Sequence, residues 1–82
     1  MDKNELKYKL NKLNVVESFY SLDGQLLPDR IVLFQNYNIW DVFYFDERGN
    51  RDNERTFSTE NEACNYIYEH FKNQKAIENK YL

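Results

Sequence analysis

Leu6, Leu10 and Leu13 recur at helical spacing through DKNELKYKLNKL, with lysines on the intervening positions. That spacing predicts an amphipathic helix. Asp2 or Asn4 can cap its start, and Asn14 can end it in a left-handed turn. VVESFYSL follows and reads as a strand, being rich in β-branched and aromatic residues. The Asp23-Gly24 pair turns the chain. LLPDR reads as loop, because Pro28 lacks an N–H and forces an extended predecessor. RIVLFQ is a second strand and IWDVFYF a third, joined by a hairpin turn at NYN, residues 36–38, where asparagine tolerates positive φ. DERGNRDN is a polar turn around Gly49, and ERTFS a short fourth strand at a sheet edge.

The last element is marked most sharply. Thr59-Glu60-Asn61-Glu62 fits a capping box, in which the Thr59 hydroxyl accepts from the backbone N–H three residues on and Glu62 reaches back. Ala63, Tyr66, Ile67, His70 and Phe71 then mark one helix face at i, i+3, i+4, i+7 and i+8. The polar tail NQKAIENKYL either extends this helix or frays from it. The order is α-β-β-β-β-α within one small domain, residues 1–82. It predicts an α+β fold: an antiparallel sheet of three to four strands in a meander, with N- and C-terminal helices on one face.

The third strand breaks the simple pattern. Ile39, Phe43 and Phe45 share one side with Asp41, while Trp40, Val42 and Tyr44 share the other. Both faces are apolar, and two helices on one side cover only one of them. Phe carries no polar atom, whereas Tyr and Trp do. Phe43 and Phe45 are therefore expected inward, and Trp40, Val42 and Tyr44 outward. Asp41 counts against that choice, and a one-residue slip would exchange the two sets. Strand two is equally two-sided, with Ile31 and Leu33 opposed to Val32 and Phe34. An outward aromatic face is either ordinary strand composition or a partner-binding patch.

Composition adds a charge pattern. The net charge of −3 divides unevenly. Residues 1–14 carry four Lys against Asp2 and Glu5, for +2, and residues 72–82 carry three Lys against Glu78, also +2. The body between them carries four Arg against eleven acids, for −7. An acidic body repels nucleic acid and attracts basic protein surfaces. A double-stranded-RNA-binding arrangement would need Lys at the start of the second helix, where Glu60 and Glu62 stand. The N-terminus MDKNELKYKL has no apolar h-region, and no apolar run reaches the length of a membrane span. With Cys64 as the only cysteine, the expectation is a cytoplasmic chain in a reducing compartment, with no membrane partner.

Candidate chemistry is sparse. Cys64 and His70 lie six residues apart on one helix, about 240° of rotation, and so diverge. Cys64 is expected as a small packing residue and His70 as a half-buried residue at the core edge. No Cys/His spacing suits a metal, and two glycines build no phosphate loop. Asp46, Asn50 and Asp52 miss the alternation of a calcium loop. No catalytic residue, cofactor or metal is expected, and the chain reads as a non-enzyme. The expected partner-binding residues are Tyr37, Trp40, Tyr44, Asp46, Glu47 and Asp52, aromatics flanked by acids.

The segments LPDRIVLFQNYNIWDVFYFDERGNRDNERTF and STENEACNYIYEHF, within residues 26 to 71, resemble small immunity proteins of bacterial polymorphic toxin systems. The pattern is similar in particular to those encoded beside NAD-glycohydrolase toxins of the tuberculosis-necrotizing-toxin type. What carries the resemblance is an aromatic strand, an acidic Gly turn and an E-x-E-A-C helix start; no individual binding residue comes with it. The resemblance implies an inhibitor that blocks a cognate toxin with a basic surface inside the producing cell. The alternatives are an adaptor or inhibitor of another basic host protein, and a homodimer burying the apolar sheet face. The free chain is a monomer or homodimer on these readings.

Overall fold

The computed structural model describes residues 1–80, and the final Tyr-Leu of the predicted tail lies outside the described residues. Helix α1 spans Lys3–Lys12, and a 3-10 turn, Glu17–Phe19, leads into β1, Tyr20–Ser21. Strands β2, Arg30–Asn36, β3, Ile39–Phe45, and β4, Arg51–Phe57, precede helix α2, Glu60–Lys80. The predicted α+β layout is present. The sheet order is β1-β2-β3-β4.

The sheet is mixed, which corrects the expected antiparallel meander. β2–β3 and β3–β4 are antiparallel, but β1 pairs parallel to β2, Tyr20 with Ile31 and Ser21 with Val32. VVESFYSL supplies only two strand residues, because Glu17–Phe19 closes into the 3-10 turn. A parallel neighbour forces residues 22–29 to travel back along β2. Such a crossover usually needs a dozen or more residues. Here a two-residue β1 shortens the return. Gly24 makes the close approach, at φ 78° and with its Cβ direction 3.3 Å from the Phe34 ring, so any side chain there would meet both strain and the ring.

Caps follow the sequence. Asp2 accepts from the Glu5 N–H at 2.9 Å, and Asn14 closes α1 at φ 61°. The Thr59 hydroxyl accepts from the Glu62 N–H at 3.1 Å. Glu62 reaches back to the Thr59 and Ser58 hydroxyls at 3.0 and 3.2 Å. The two helices lie side by side and run in the same direction. The Met1 amine donates to Asn61 at one end, and Lys9 Nζ sits 5.4 Å from the Tyr68 ring centre farther along.

The main core joins Leu6 and Leu10 of α1, Ala63, Cys64, Ile67 and Phe71 of α2, and Leu33 and Val42 of the sheet. Trp40 and Ile31 pack against it half-buried. The helices therefore cover the face of Trp40, Val42 and Tyr44, the reverse of the face expected from the phenylalanines. Phe43 is nevertheless 1% exposed and Val32, opposite it, 0%. They are dry on the other face. Phe45 meets Phe43 edge-on at 6.5 Å, and the Arg51 guanidinium lies 4.3 Å from the centre of the Phe43 ring. Asp41 shares this face half-buried, accepting from the Thr56 hydroxyl at 3.0 Å. Both sides of β3 are apolar because both are covered from within the chain.

Two turns also differ from expectation. Asn36 pairs with Ile39, so the hairpin loop is Tyr37-Asn38, and the positive φ of 57° falls on Tyr37. β4 begins at Arg51, which shortens the polar turn to Asp46–Asn50. Its pairing slips between Val42↔Arg55 and Tyr44↔Asp52, leaving Asn53 and Glu54 opposite Phe43. Asn53 takes φ 54° at this bulge, as a short polar side chain permits.

Candidate partner-binding groove

α2 crosses the sheet obliquely. Tyr66 packs 5.3 Å from Phe57 on β4, and Phe71 lies 6.3 Å from Tyr20 on β1. At the corner where β2 starts and β3 ends, α2 forms one wall through Tyr66, His70, Phe71 and Gln74. A groove of about 370 Å³ occupies that corner. Val42, Ile31 and Phe71 line its apolar part, and Phe19 from the 3-10 turn forms an exposed lip. Its polar lining comes from Asp29 and Tyr44 and from Asn53, Arg55, His70 and Gln74. That volume is near the lower end of the range for binding clefts, about 300–1,000 Å³.

Asp29 and Tyr44 are held in place. The Tyr44 hydroxyl donates to Asp29 Oδ1 at 2.9 Å, and the Asp29 backbone N–H donates to the Phe45 carbonyl at 2.7 Å. Asp29 adopts φ 59° to do both. The hydrogen bond to Asp29 pushes the Tyr44 phenol above its ordinary value of 10.0, and desolvation and the charges of Asp29, Asp46 and Asp52 add to the effect. Asp29 holds the phenol directly, Asp52 pairs with Tyr44 across the strands, and Asp46 follows two residues on. None of the three has an ion-pair partner among the described residues, whereas neighbouring Glu54 is paired to Arg51 at 3.6 Å.

Of the residues expected to bind a partner, only Tyr44 lines the groove; Asp52 pairs with it on β4, and Asp46 and the exposed Glu47 follow on the adjoining turn. Asp46 has a structural task as well. Its carboxylate accepts from the Asn50 N–H at 2.7 Å, the Arg48 N–H at 2.9 Å and the Asn50 side chain at 3.2 Å. These bonds, the Asn50 backbone foremost, hold its carboxyl below the ordinary value of 3.8. Tyr37 is 90% exposed at the opposite end of β3, about 20 Å away for a seven-residue strand. Trp40 packs against the core and is not on an open face.

Asp29, Arg55 and Phe19 were not singled out by the sequence. Asp29 follows Pro28 at a strand entrance, a position where a polar residue is ordinary. Arg55 faces the groove because it pairs with Val42 across the strands. His70 is exposed on the groove rim, not half-buried as expected. Cys64 is fully buried, and that burial, with Glu60 nearby, pushes its thiol up to about 11.

Among the described residues no group of three or more His, Cys, Asp or Glu is placed to hold a metal ion. No described helix is long and apolar enough to cross a membrane. Compared with known proteins, the chain matches no family model, no curated protein and no solved structure.

Proposed function

We propose that the protein is a binding module that acts by occupying a partner's surface and catalyses nothing itself. More particularly, it is the immunity protein of a bacterial toxin pair, a stoichiometric inhibitor of a cognate toxin domain whose surface is basic. The observation that carries this reading is an apolar groove with the hydrogen-bonded pair Asp29 and Tyr44 on its rim, Asp52 beside Tyr44 on the neighbouring strand, and no cation paired to either carboxylate among the described residues. A toxin inhibitor must associate quickly and dissociate slowly. Unpaired carboxylates raise the association rate, and an apolar groove beside them slows departure. The sequence resemblance of residues 26–71 to immunity proteins supports the particular choice.

The test is co-expression with the products of the adjacent genes, of which one is expected to be a toxin domain. Growth should be rescued and a 1:1 complex should co-purify. Glu47→Lys with Asp52→Lys alters two exposed side chains that hold no structural hydrogen bond. This double variant should slow association at least about tenfold at low salt, with the difference shrinking as salt is raised. Unchanged association rate and affinity, or no rescue by the unmodified chain, would sink the reading.

A further inference from the structure

We propose that the groove seats one arginine of the partner together with the bulky apolar side chain next to it in sequence, so that the recognised element is an apolar-arginine pair on a basic polypeptide. This rests on the reading of the protein as an inhibitor of a basic partner, and it names what enters the site.

The groove sorts its contacts by chemistry. Ile31, Val42, Phe71 and the Phe19 lip provide apolar surface but no polar side chain. That surface takes an aliphatic or aromatic group. Asp29 offers a carboxylate fixed at both ends, by its own N–H on Phe45 and by the Tyr44 hydroxyl on Oδ1. Oδ2 has no hydrogen-bond partner among the described residues. A fixed carboxylate with a free oxygen suits a guanidinium, which donates from a planar fork in a set geometry. An ammonium group would gain the charge contact without the fork. Asp46 and Asp52 add negative potential at the same place.

The remaining lining sets the limit of one cation. Arg55 and His70 also line the groove, each carrying hydrogen-bond donors. The Arg55 charge would repel a second cation, and both side chains can donate to main-chain carbonyls of the bound segment. A run of consecutive lysines or arginines therefore fits less well than a single arginine beside an apolar residue.

The probes are acetyl-Trp-Arg-amide and its citrulline counterpart, which keeps the shape and loses the charge. Each is titrated to about 10 mM into the ¹⁵N-labelled full chain at low salt. The arginine peptide should shift the amides of Asp29, Ile31, Tyr44 and Phe71, and citrulline should weaken binding about fivefold or more. Asp29→Asn is the matching variant, because asparagine also accepts positive φ and preserves the turn. It should remove the preference for arginine over citrulline while leaving the spectrum of the free chain folded.

Equal affinity for the two peptides, shifts centred on Glu47 and Glu54 away from the groove, or no shift by 10 mM would each overturn the proposal. The toxin co-expression result stands apart from this outcome. Inhibition without peptide binding would discard the groove as the seat and keep the inhibitor. Peptide binding without any toxin partner would do the reverse.

Discussion

The Arg51 guanidinium lies over the ring of Phe43, 4.3 Å from its centre, on the face of the sheet that carries no helix. Arg51 is 5.7 Å from the Phe34 ring as well and is tethered by Glu54 at 3.6 Å. A charged side chain from an edge strand thus serves as part of a roof. Its aliphatic stem and flat head shield apolar surface while its charge stays wet.

Phe43→Ala should therefore behave as a core truncation and destabilise by about 3–5 kcal/mol. A domain of this size has roughly 4–12 kcal/mol in all, so the variant should lose at least about a quarter of its stability. Arg51→Ala should lose only about 0.5–2 kcal/mol. Urea unfolding measures both. A Phe43→Ala loss below about 0.5 kcal/mol, the range of an ordinary surface change, would mean that this face is open.

The Thr59–Glu62 capping box gives a second prediction. Thr59→Ala removes the acceptor for the Glu62 N–H and should destabilise by about 1 kcal/mol. Thr59→Ser should be close to neutral. For a domain of this length the alanine variant should melt about 4–8 °C lower. Equal melting temperatures for the two variants would show that α2 is held by packing alone.

Asp46 should make the β3–β4 turn acid-sensitive. Its carboxyl is held below 3.8, so the ionised form favours the folded turn. That contribution is fully present above 3.8 and is lost as pH falls through the lower folded value. Protection of the Asn50 amide against hydrogen exchange should decline over that acidic window. In Asp46→Asn the decline should be absent, since the side chain no longer titrates.

Cys64 should resist thiol reagents in the folded chain. Burial raises its thiol to about 11 from 9.0, so the thiol form persists across neutral and mildly alkaline pH. The sign follows: its contribution to stability is intact below 9.0 and is lost as pH rises through about 11. A disulfide reagent at pH 8 should react slowly until denaturant is added. Rapid modification of the native chain would require α1 to open from α2.

Tyr37 occupies φ 57°, a conformation that disfavours L side chains by about 1–2 kcal/mol. Tyr37→Asn should raise stability by up to about 1 kcal/mol, read from thermal unfolding. If the same variant also leaves toxin inhibition intact, Tyr37 drops out of the binding surface and the groove end of β3 carries it alone.

Most of the element order could be read from the sequence, because caps and periodicity are local signals. Asp2, Asn14 and the Thr59 box all do what their positions dictate. On β3, aromatic chemistry points Phe43 and Phe45 toward the helices, whereas the parity of Asp41 points them away. Asp41 held the correct sign: its side is the one without helices, where Thr56 and water can satisfy it. What could not be read was the cover over that side, since a crossover at Gly24 and a stacked Arg51 leave no periodic trace. The groove was equally hidden. It arises from the oblique path of α2 and a bulge at Asn53, both set by packing between distant segments. Tyr44, Asp46 and Asp52 were found by residue type, while Asp29, which fixes Tyr44, was not.

The parallel alignment of α1 with α2 has a consequence for the chain during its synthesis. Leu6 and Leu10 leave the ribosome well ahead of their packing partners Ile67 and Phe71. At about 5–20 residues per second, several seconds separate the two. The β2–β3–β4 hairpins can pair during that interval, but α1 must wait as an amphipathic stretch with its leucines in water. Its lysines face water meanwhile, and docking of α1 waits for the Ala63–Phe71 face of α2 to emerge and close the core in one late step.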